Sequence, residues 1–98
     1  MKTEKKLKEL LFQIELKTEF GNYTMTELQK ITEKAVIIIE NKNPNSESLN
    51  QLKTSIKLSD TFHKEKSHNN VDNIMDVLRS TKFAIELFLD KEQEADFE

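Results

Sequence analysis

Glycine and proline, on which tight turns depend, are almost missing from this 98-residue chain, which has one of each, Gly21 and Pro44. Alternating runs of β-branched residues are missing too, so a sheet protein is disfavoured. Instead, apolar residues recur at the i, i+3, i+4 and i+7 spacing of amphipathic helices, in four stretches separated by short polar breaks. Short breaks make consecutive helices antiparallel neighbours. The sequence therefore predicts an all-α fold, an antiparallel up-down-up-down four-helix bundle over residues 1–90, with a flexible acidic C-terminal tail over residues 91–98.

The first helix is predicted over about residues 3–18, with Gly21 as a C-cap in the left-handed conformation. Its buried stripe consists of Leu7, Leu10, Leu11 and Ile14. Phe12 and Leu16 lie on the opposite face, four residues apart, where they can touch each other. Two interpretations stay open for this pair: the helix packs between two neighbours and buries a wide arc, or the pair is an exposed apolar ridge that meets a partner.

The second helix is predicted to start at a capping box, Thr24 to Glu27, and to continue to about Asn41. Ile37 is expected to point away from its stripe, and Met25 and Val36 lie at the edge of that stripe. The stripe consists of Leu28, Ile31, Ala35, Ile38 and Ile39.

The third helix follows the clearest break in the chain, residues 41–46. Pro44 suits the first turn of this helix, and Asn43 or Asn45 is the expected cap. The helix is predicted to extend to about Lys64, with Leu49, Leu52 and Ile56 as its stripe. Ser55 and Ser59 fall on the buried side, where small side chains permit close approach, and Leu58 and Phe62 lie off the stripe.

The fourth helix is predicted to be capped by Asn69 or Asn70. One face carries Val71, Ile74, Met75, Leu78, Ile85 and Leu89, with Val77, Ala84 and Phe88 along its flank. Phe83 and Leu87 lie on the opposite side, so residues 83–89 are apolar nearly all the way round.

Composition excludes several classes of protein. There is no cysteine, hence no disulfide and no thiolate metal site, as is typical of a reducing compartment. The longest apolar run, residues 35–39, is far shorter than a membrane span, and the Lys-rich start is not a signal peptide. We expect a cytoplasmic protein. Residues 90–98 carry a net charge of −4 and the rest of the chain +1, so no nucleic acid partner is expected.

Catalytic chemistry is not indicated. His63 and His68 are five residues apart, whereas two metal ligands on one helical face need a spacing of three or four. Phosphorylation of His63 is a weaker alternative, because the glycine that phosphotransfer domains place near that histidine is missing after His63. No nucleophile elbow or phosphate-binding loop is recognisable. The sequence predicts no enzyme, no cofactor and no metal.

The candidate interaction surface is the C-terminal half of the fourth helix. Phe83 and Leu87 are spaced i, i+4, and Arg79, the only arginine, precedes Phe83 by four residues. Aromatic residues and arginine are favoured anchors of interfaces. Three interpretations stay open: the tail folds back and covers this surface with Phe97, the surface faces a partner, or it is simply exposed.

The chain resembles the class IIa (pediocin-like) bacteriocin immunity proteins. The resemblance rests on its size, the Lys-rich start, and the passage 38–44 (IIENKNP) that leads into 49–52 (LNQL). It implies a cytoplasmic four-helix bundle that protects the producer cell from its own bacteriocin. Such a protein acts from inside on the membrane mannose phosphotransferase permease once bacteriocin has engaged it, and its specificity is attributed to the C-terminal half.

The expected partner is therefore the permease in complex with bacteriocin, with peripheral association at the inner face of the membrane and a monomeric protein. The alternative from another class is a small helical regulatory adaptor or antitoxin that binds a soluble protein.

Overall fold

A computed structural model describes residues 2–20 and 24–92, except for the side chains of residues 17–20 and 92. Within these ranges every element is helical and there is no strand. The elements are α1 (Lys2–Phe20), α2 (Met25–Lys42), α3 (Glu47–Lys64) and α4 (Val71–Leu87), and α4 runs into a π-helical turn (Phe88–Glu92). The predicted all-α class with four helices is confirmed. The Gly21 cap and most of the acidic tail lie outside the described residues.

Capping side chains explain where two of the helices begin. The Thr24 hydroxyl accepts from the Glu27 amide at 3.1 Å and donates to the Glu27 carboxylate at 3.0 Å, which confirms the predicted start of α2. Asn70 accepts from the amides of Asp72 and Asn73 at 2.9 and 3.3 Å, and so confirms one of the two candidate caps of α4.

The predicted cap of α3 is wrong, because Ser46 takes this position and accepts from the Ser48 amide at 3.1 Å. Pro44 belongs to a turn that precedes the helix and not to its first turn. The Asn43 side chain is used inside that turn, where it accepts from the Asn45 amide at 3.1 Å. Asparagine favours such local turns as strongly as caps, and sequence spacing alone does not separate the two.

The four helices surround one hydrophobic core. α1 packs against α2 and α4, α3 packs against the same two helices, and α2 also contacts α4. The buried apolar residues of the core are Leu7, Leu10, Ile14, Met25, Leu28, Ile31, Ala35, Ile39, Leu49, Leu52, Val77, Leu78, Ala84, Ile85, Phe88 and Leu89. None of the helices in the described part of the chain is long and apolar enough to cross a membrane.

Burial in α4 covers a wider arc than the predicted stripe, of which Leu78, Ile85 and Leu89 are buried as expected. Val71, expected on the buried face, is 71% exposed, while Val77, Ala84 and Phe88, expected on the flank, are at most 4% exposed. α4 contacts all three other helices, so its neighbours cover a wide arc of its surface. Val71 is the first residue of the helix and adjoins the 65–70 loop, which leaves it in solvent.

The stripe of α3 also extends further than predicted. Ser55 and Ser59 are fully buried, which confirms their predicted side of the helix. Leu58 and Phe62, predicted to lie off the stripe, pack partly against the core, whereas Ile56 is only half-buried. A helix between two neighbours buries more than the narrow stripe that its sequence outlines.

A buried pair of threonines ties α4 to α2. The Oγ1 atoms of Thr32 and Thr81 lie 2.9 Å apart, and both residues are fully buried. The Thr32 hydroxyl also donates to the Leu28 carbonyl at 3.0 Å. Because a hydroxyl has a single proton, Thr81 is the donor in the pair and Thr32 the acceptor.

Two further hydroxyl contacts tie α3 to its neighbours. Ser55 donates to the Gln51 carbonyl at 3.1 Å, so by the same accounting Ser80 of α4 donates to Ser55. Ser59 donates to Oε1 of Gln29 on α2 at 2.8 Å. Polar contacts therefore join α2, α3 and α4 within an otherwise apolar core, and they fix how these helices are aligned along their axes.

Candidate partner-binding surface

The surface predicted for partner binding lies on the outer side of α4, and we call Arg79, Phe83 and Leu87 the α4 patch. Phe83 is 55% exposed and Arg79 is exposed, whereas Leu87 is half-buried. Their spacing of four residues places the three side chains one above another along the helix. The prediction that Phe83 points away from the core is confirmed.

The α4 patch stands on a helix whose inner face is buried and whose C-terminal end is also packed into the core. Val77, Leu78, Thr81, Ala84 and Ile85 are buried beneath it. Directly after Leu87 the helix widens into the π-helical turn. The amide of Phe88, its first residue, still donates to the carbonyls of Ala84 and Ile85, four and three residues earlier, as in an ordinary helical end. The side chains at positions 88 and 89 both lie in the core, at 4% and 9% exposed. The patch is therefore carried by a helix that is packed both before and after it.

Leu87 faces α3 and not the open solvent. It lines a surface depression of about 460 Å³ together with four polar residues from the beginning of α3, Glu47, Asn50, Gln51 and Thr54. Phe83 is the projecting group of the α4 patch, and Leu87 forms the apolar wall of a depression beside it. A partner would therefore meet a projecting ring next to a shallow, mostly polar recess.

Charged side chains surround Phe83. Arg79 and Glu86 lie one helical turn away and Asp76 and Asp90 two turns away, and all four are exposed. An exposed aromatic ring with an arginine beside it and a polar rim is the usual composition of an interface anchor. The arrangement is suited to recognition of another protein. Phe97, which was predicted to cover this patch, lies outside the described residues. A patch covered by the tail and a patch that faces a partner therefore both stay predictions.

Three other large apolar side chains are exposed on α1 and α2, two of which the sequence offered as a ridge that meets a partner. They are Phe12 and Leu16 on α1 and Ile37 on α2, and we call these residues the α1–α2 surface. They are 59%, 38% and 61% exposed. Burial of Phe12 and Leu16 between two neighbouring helices is therefore wrong, and the pair is exposed as the second interpretation expected. That a partner meets this ridge stays a prediction. The sequence feature that indicated this exposure is the i, i+4 spacing of Phe12 and Leu16 on the face opposite the buried stripe of α1.

The two histidines pack against each other beside the α3–α4 loop. The ring centroids of His63 and His68 are 4.5 Å apart, with 26° between the ring planes. Nitrogen lone pairs lie in the ring plane, so nearly parallel rings do not direct them at one metal ion. In the ranges that the structure describes, no three side chains of the metal-binding types come together.

Comparison with protein-family models, with curated proteins and with solved structures finds no match for this chain.

Proposed function

We propose that this protein is a bacteriocin immunity protein that protects a producer cell from its own class IIa bacteriocin. In this proposal it is a cytoplasmic, antiparallel up-down-up-down four-helix bundle with an acidic tail, and it is not an enzyme. It acts at the inner face of the membrane on the mannose phosphotransferase permease that bacteriocin has engaged. The proposal requires a binding surface and no catalytic group.

The observation that carries the proposal is the exposed ring of Phe83 in the C-terminal half of the chain. Bacteriocin specificity in the family that the sequence resembles is attributed to this half. Phe83 is more than half exposed, although the other side of its helix is buried from Val77 to Ile85. The short connections, residues 43–46 and 65–70, support the antiparallel topology, since they leave little chain for a crossover.

The test is the bacteriocin sensitivity of a susceptible strain that expresses this chain, measured against a panel of class IIa peptides. We expect protection against one peptide or a few. Phe83→Ser should reduce this protection and leave the melting temperature unchanged, because the side chain is largely in solvent. Val71→Ser is the matched control, since Val71 stands on the same helix and is 71% exposed. Protection against no peptide by the folded, expressed protein would refute the proposal.

A second candidate function is a regulatory adaptor or antitoxin that binds a soluble protein. The α1–α2 surface favours it, since it offers exposed apolar side chains on two helices other than α4. Affinity capture from producer-type cells separates the two functions. Capture of the permease only when bacteriocin is present supports immunity, while capture of one soluble protein with or without bacteriocin supports the adaptor.

A further inference from the structure

The corner between α3 and α4, residues 65–70, is closed by backbone bonds around one strained residue. The Lys66 amide donates to the His63 carbonyl at 3.1 Å and the Ser67 amide to the Phe62 carbonyl at 2.8 Å, which is the Schellman pattern of a helix end. Lys66 takes the left-handed position of this motif, with φ 58°, where glycine is favoured because a Cβ atom adds strain. The closed corner therefore carries a conformational cost.

Bonds to Ser67 connect this corner to α4. The Ser67 carbonyl accepts from the Asn70 amide at 3.1 Å and from Nδ2 of Asn73 at 3.0 Å. Asn70 is also the N-cap of α4, so the first turn of this helix is fixed through the corner. A change that displaces residues 66–68 therefore loosens the beginning of α4.

The stacked histidines hold the two sides of the corner together. His63 stands in the last turn of α3 and His68 in the corner, and both are half-buried. Nδ1 of His68 is buried and has no hydrogen-bond partner. In the neutral ring with its proton on Nε2, this atom is an unpaired acceptor, whereas a protonated ring carries a hydrogen on both nitrogens. Protonation of His68 in the closed corner thus buries an N–H donor without an acceptor, which is costly.

A proton on His63 adds to this cost. If both rings are charged, two positive charges repel each other across ring centroids that are 4.5 Å apart. Within the described ranges, no ion pair or hydrogen bond joins a carboxylate to either ring to offset the repulsion. Asp60, one turn before His63, accepts from Gln29 of α2 at 3.2 Å instead.

Other charges near the corner nearly cancel. Four carboxylates and three lysines stand on the corner and on the adjoining ends of α2, α3 and α4, namely Glu27, Lys30, Asp60, Lys64, Glu65, Lys66 and Asp72. The two imidazoles therefore decide how the charge of this corner changes near neutral pH.

We propose that protonation of His68 beside a protonated His63 opens the α3–α4 corner, so that the start of α4 loosens reversibly as the pH falls. The closed corner disfavours the doubly charged pair, whereas an open corner gives both rings to water. Acid therefore favours opening, and neutral pH favours the closed corner. Opening also releases the strain at Lys66, which acts in the same direction.

The test is amide hydrogen exchange of the full chain, followed by NMR between about pH 7.5 and about pH 5, the range in which histidine changes its charge. After correction for the intrinsic effect of pH on exchange, protection of the Ser67 and Asn70 amides should fall by about tenfold. The amides of Asn43 and Ser46 are the matched control. They bond to the carbonyls of Ile39 and Asn43 in the α2–α3 connection, where no histidine stands, so their protection should not change.

Two variants separate the charge of the rings from their shape. His68→Phe keeps an aromatic ring in the stack and takes up no proton, so its corner should stay closed at about pH 5. His63→Gln removes the neighbouring charge but leaves the buried Nδ1 of His68, so the loss of protection should become smaller. Circular dichroism of each variant confirms that it is folded.

Three results would each overturn the proposal. The first is protection at Ser67 and Asn70 that does not change with pH in the parent protein. The second is an undiminished loss in folded His68→Phe, which would assign the effect to carboxylates such as Glu65 and Asp72. The third is an equal loss at Asn43 and Ser46, which would show that the whole bundle loosens. None of these results depends on bacteriocin immunity.

Discussion

Replacing Thr32 by valine should destabilise the protein more than replacing Thr81 by valine, although the two hydroxyls share one hydrogen bond. Their Oγ1 atoms are 2.9 Å apart at fully buried positions, and the Thr32 proton is directed at the Leu28 carbonyl. Thr81 is therefore the donor and Thr32 the acceptor. The two substitutions break the same contact but leave different groups behind.

The difference in cost follows from what stays buried. In Thr81→Val the Thr32 hydroxyl keeps its bond to Leu28, so the loss is one neutral hydrogen bond, about 1 kcal/mol. In Thr32→Val the bond to the Leu28 carbonyl is lost as well, and the buried Thr81 donor loses its acceptor, which brings the loss to about 2–3 kcal/mol. For a domain of this size, about 1 kcal/mol corresponds to about 4–8 °C in melting temperature. The double variant should be closer to Thr81→Val, because both partners become apolar groups of similar shape.

Urea unfolding followed by circular dichroism measures these differences, with the m-value as a check on two-state behaviour. Thr61→Val is the control, since Thr61 is exposed and makes the same kind of bond as Thr32, to the Lys57 carbonyl at 3.0 Å. It should change the free energy of unfolding by less than about 0.5 kcal/mol. If Thr81→Val costs as much as Thr32→Val, or if the double variant costs the sum of the two, the assigned proton order is wrong.

Three further predictions concern the start of a helix, the core and the relation between the two surfaces. Asn70→Ala should lower the free energy of unfolding by about 1 kcal/mol in the same urea assay, because the start of α4 loses its cap; an unchanged value would contradict this role. Leu52→Ala, at a fully buried position, should cost about 2–5 kcal/mol in that assay, and a cost below about 1 kcal/mol would show that the site collapses. Glu9→Lys should protect against bacteriocin as well as the parent does, because Glu9 is outside the α4 patch; lost protection by the folded variant would show that immunity also needs the α1–α2 surface.

The sequence predicts the helices well because the signals that define them are local. The capping interaction of Thr24 with Glu27 involves residues three apart, and the Asn70 cap bonds to the amides two and three residues further on. Both can be recognised without knowing the fold. The start of α3 shows where this fails, since Asn43 and Ser46 both stand before the helix and both can accept an amide proton. Pro44 decides between them by forming a turn that uses the Asn43 side chain, and only the backbone path shows this.

Burial is less predictable because it depends on how many neighbours a helix has. A periodic stripe gives the direction of the core, but the width of the buried arc is set by packing. α4 contacts three helices, so Val77 and Ala84 are buried although they lie on the flank of the predicted stripe. The Thr32–Thr81 pair was missed for a related reason, since a threonine within an apolar stripe looks like a weak position until its partner on another helix is known.

Whether an exposed apolar residue indicates a binding site depends on the residues around it. A single exposed apolar side chain is common on soluble proteins and needs no function. Val71 is such a residue, since Ile74 and Met75, one turn further along α4, pack against the core. Phe83 is less exposed than Val71, but Leu87 lines an open depression beside it and Arg79 stands one turn away. The two residues differ in their surroundings and not in their exposure. Val71→Ser should therefore leave protection against bacteriocin unchanged, whereas Phe83→Ser should reduce it.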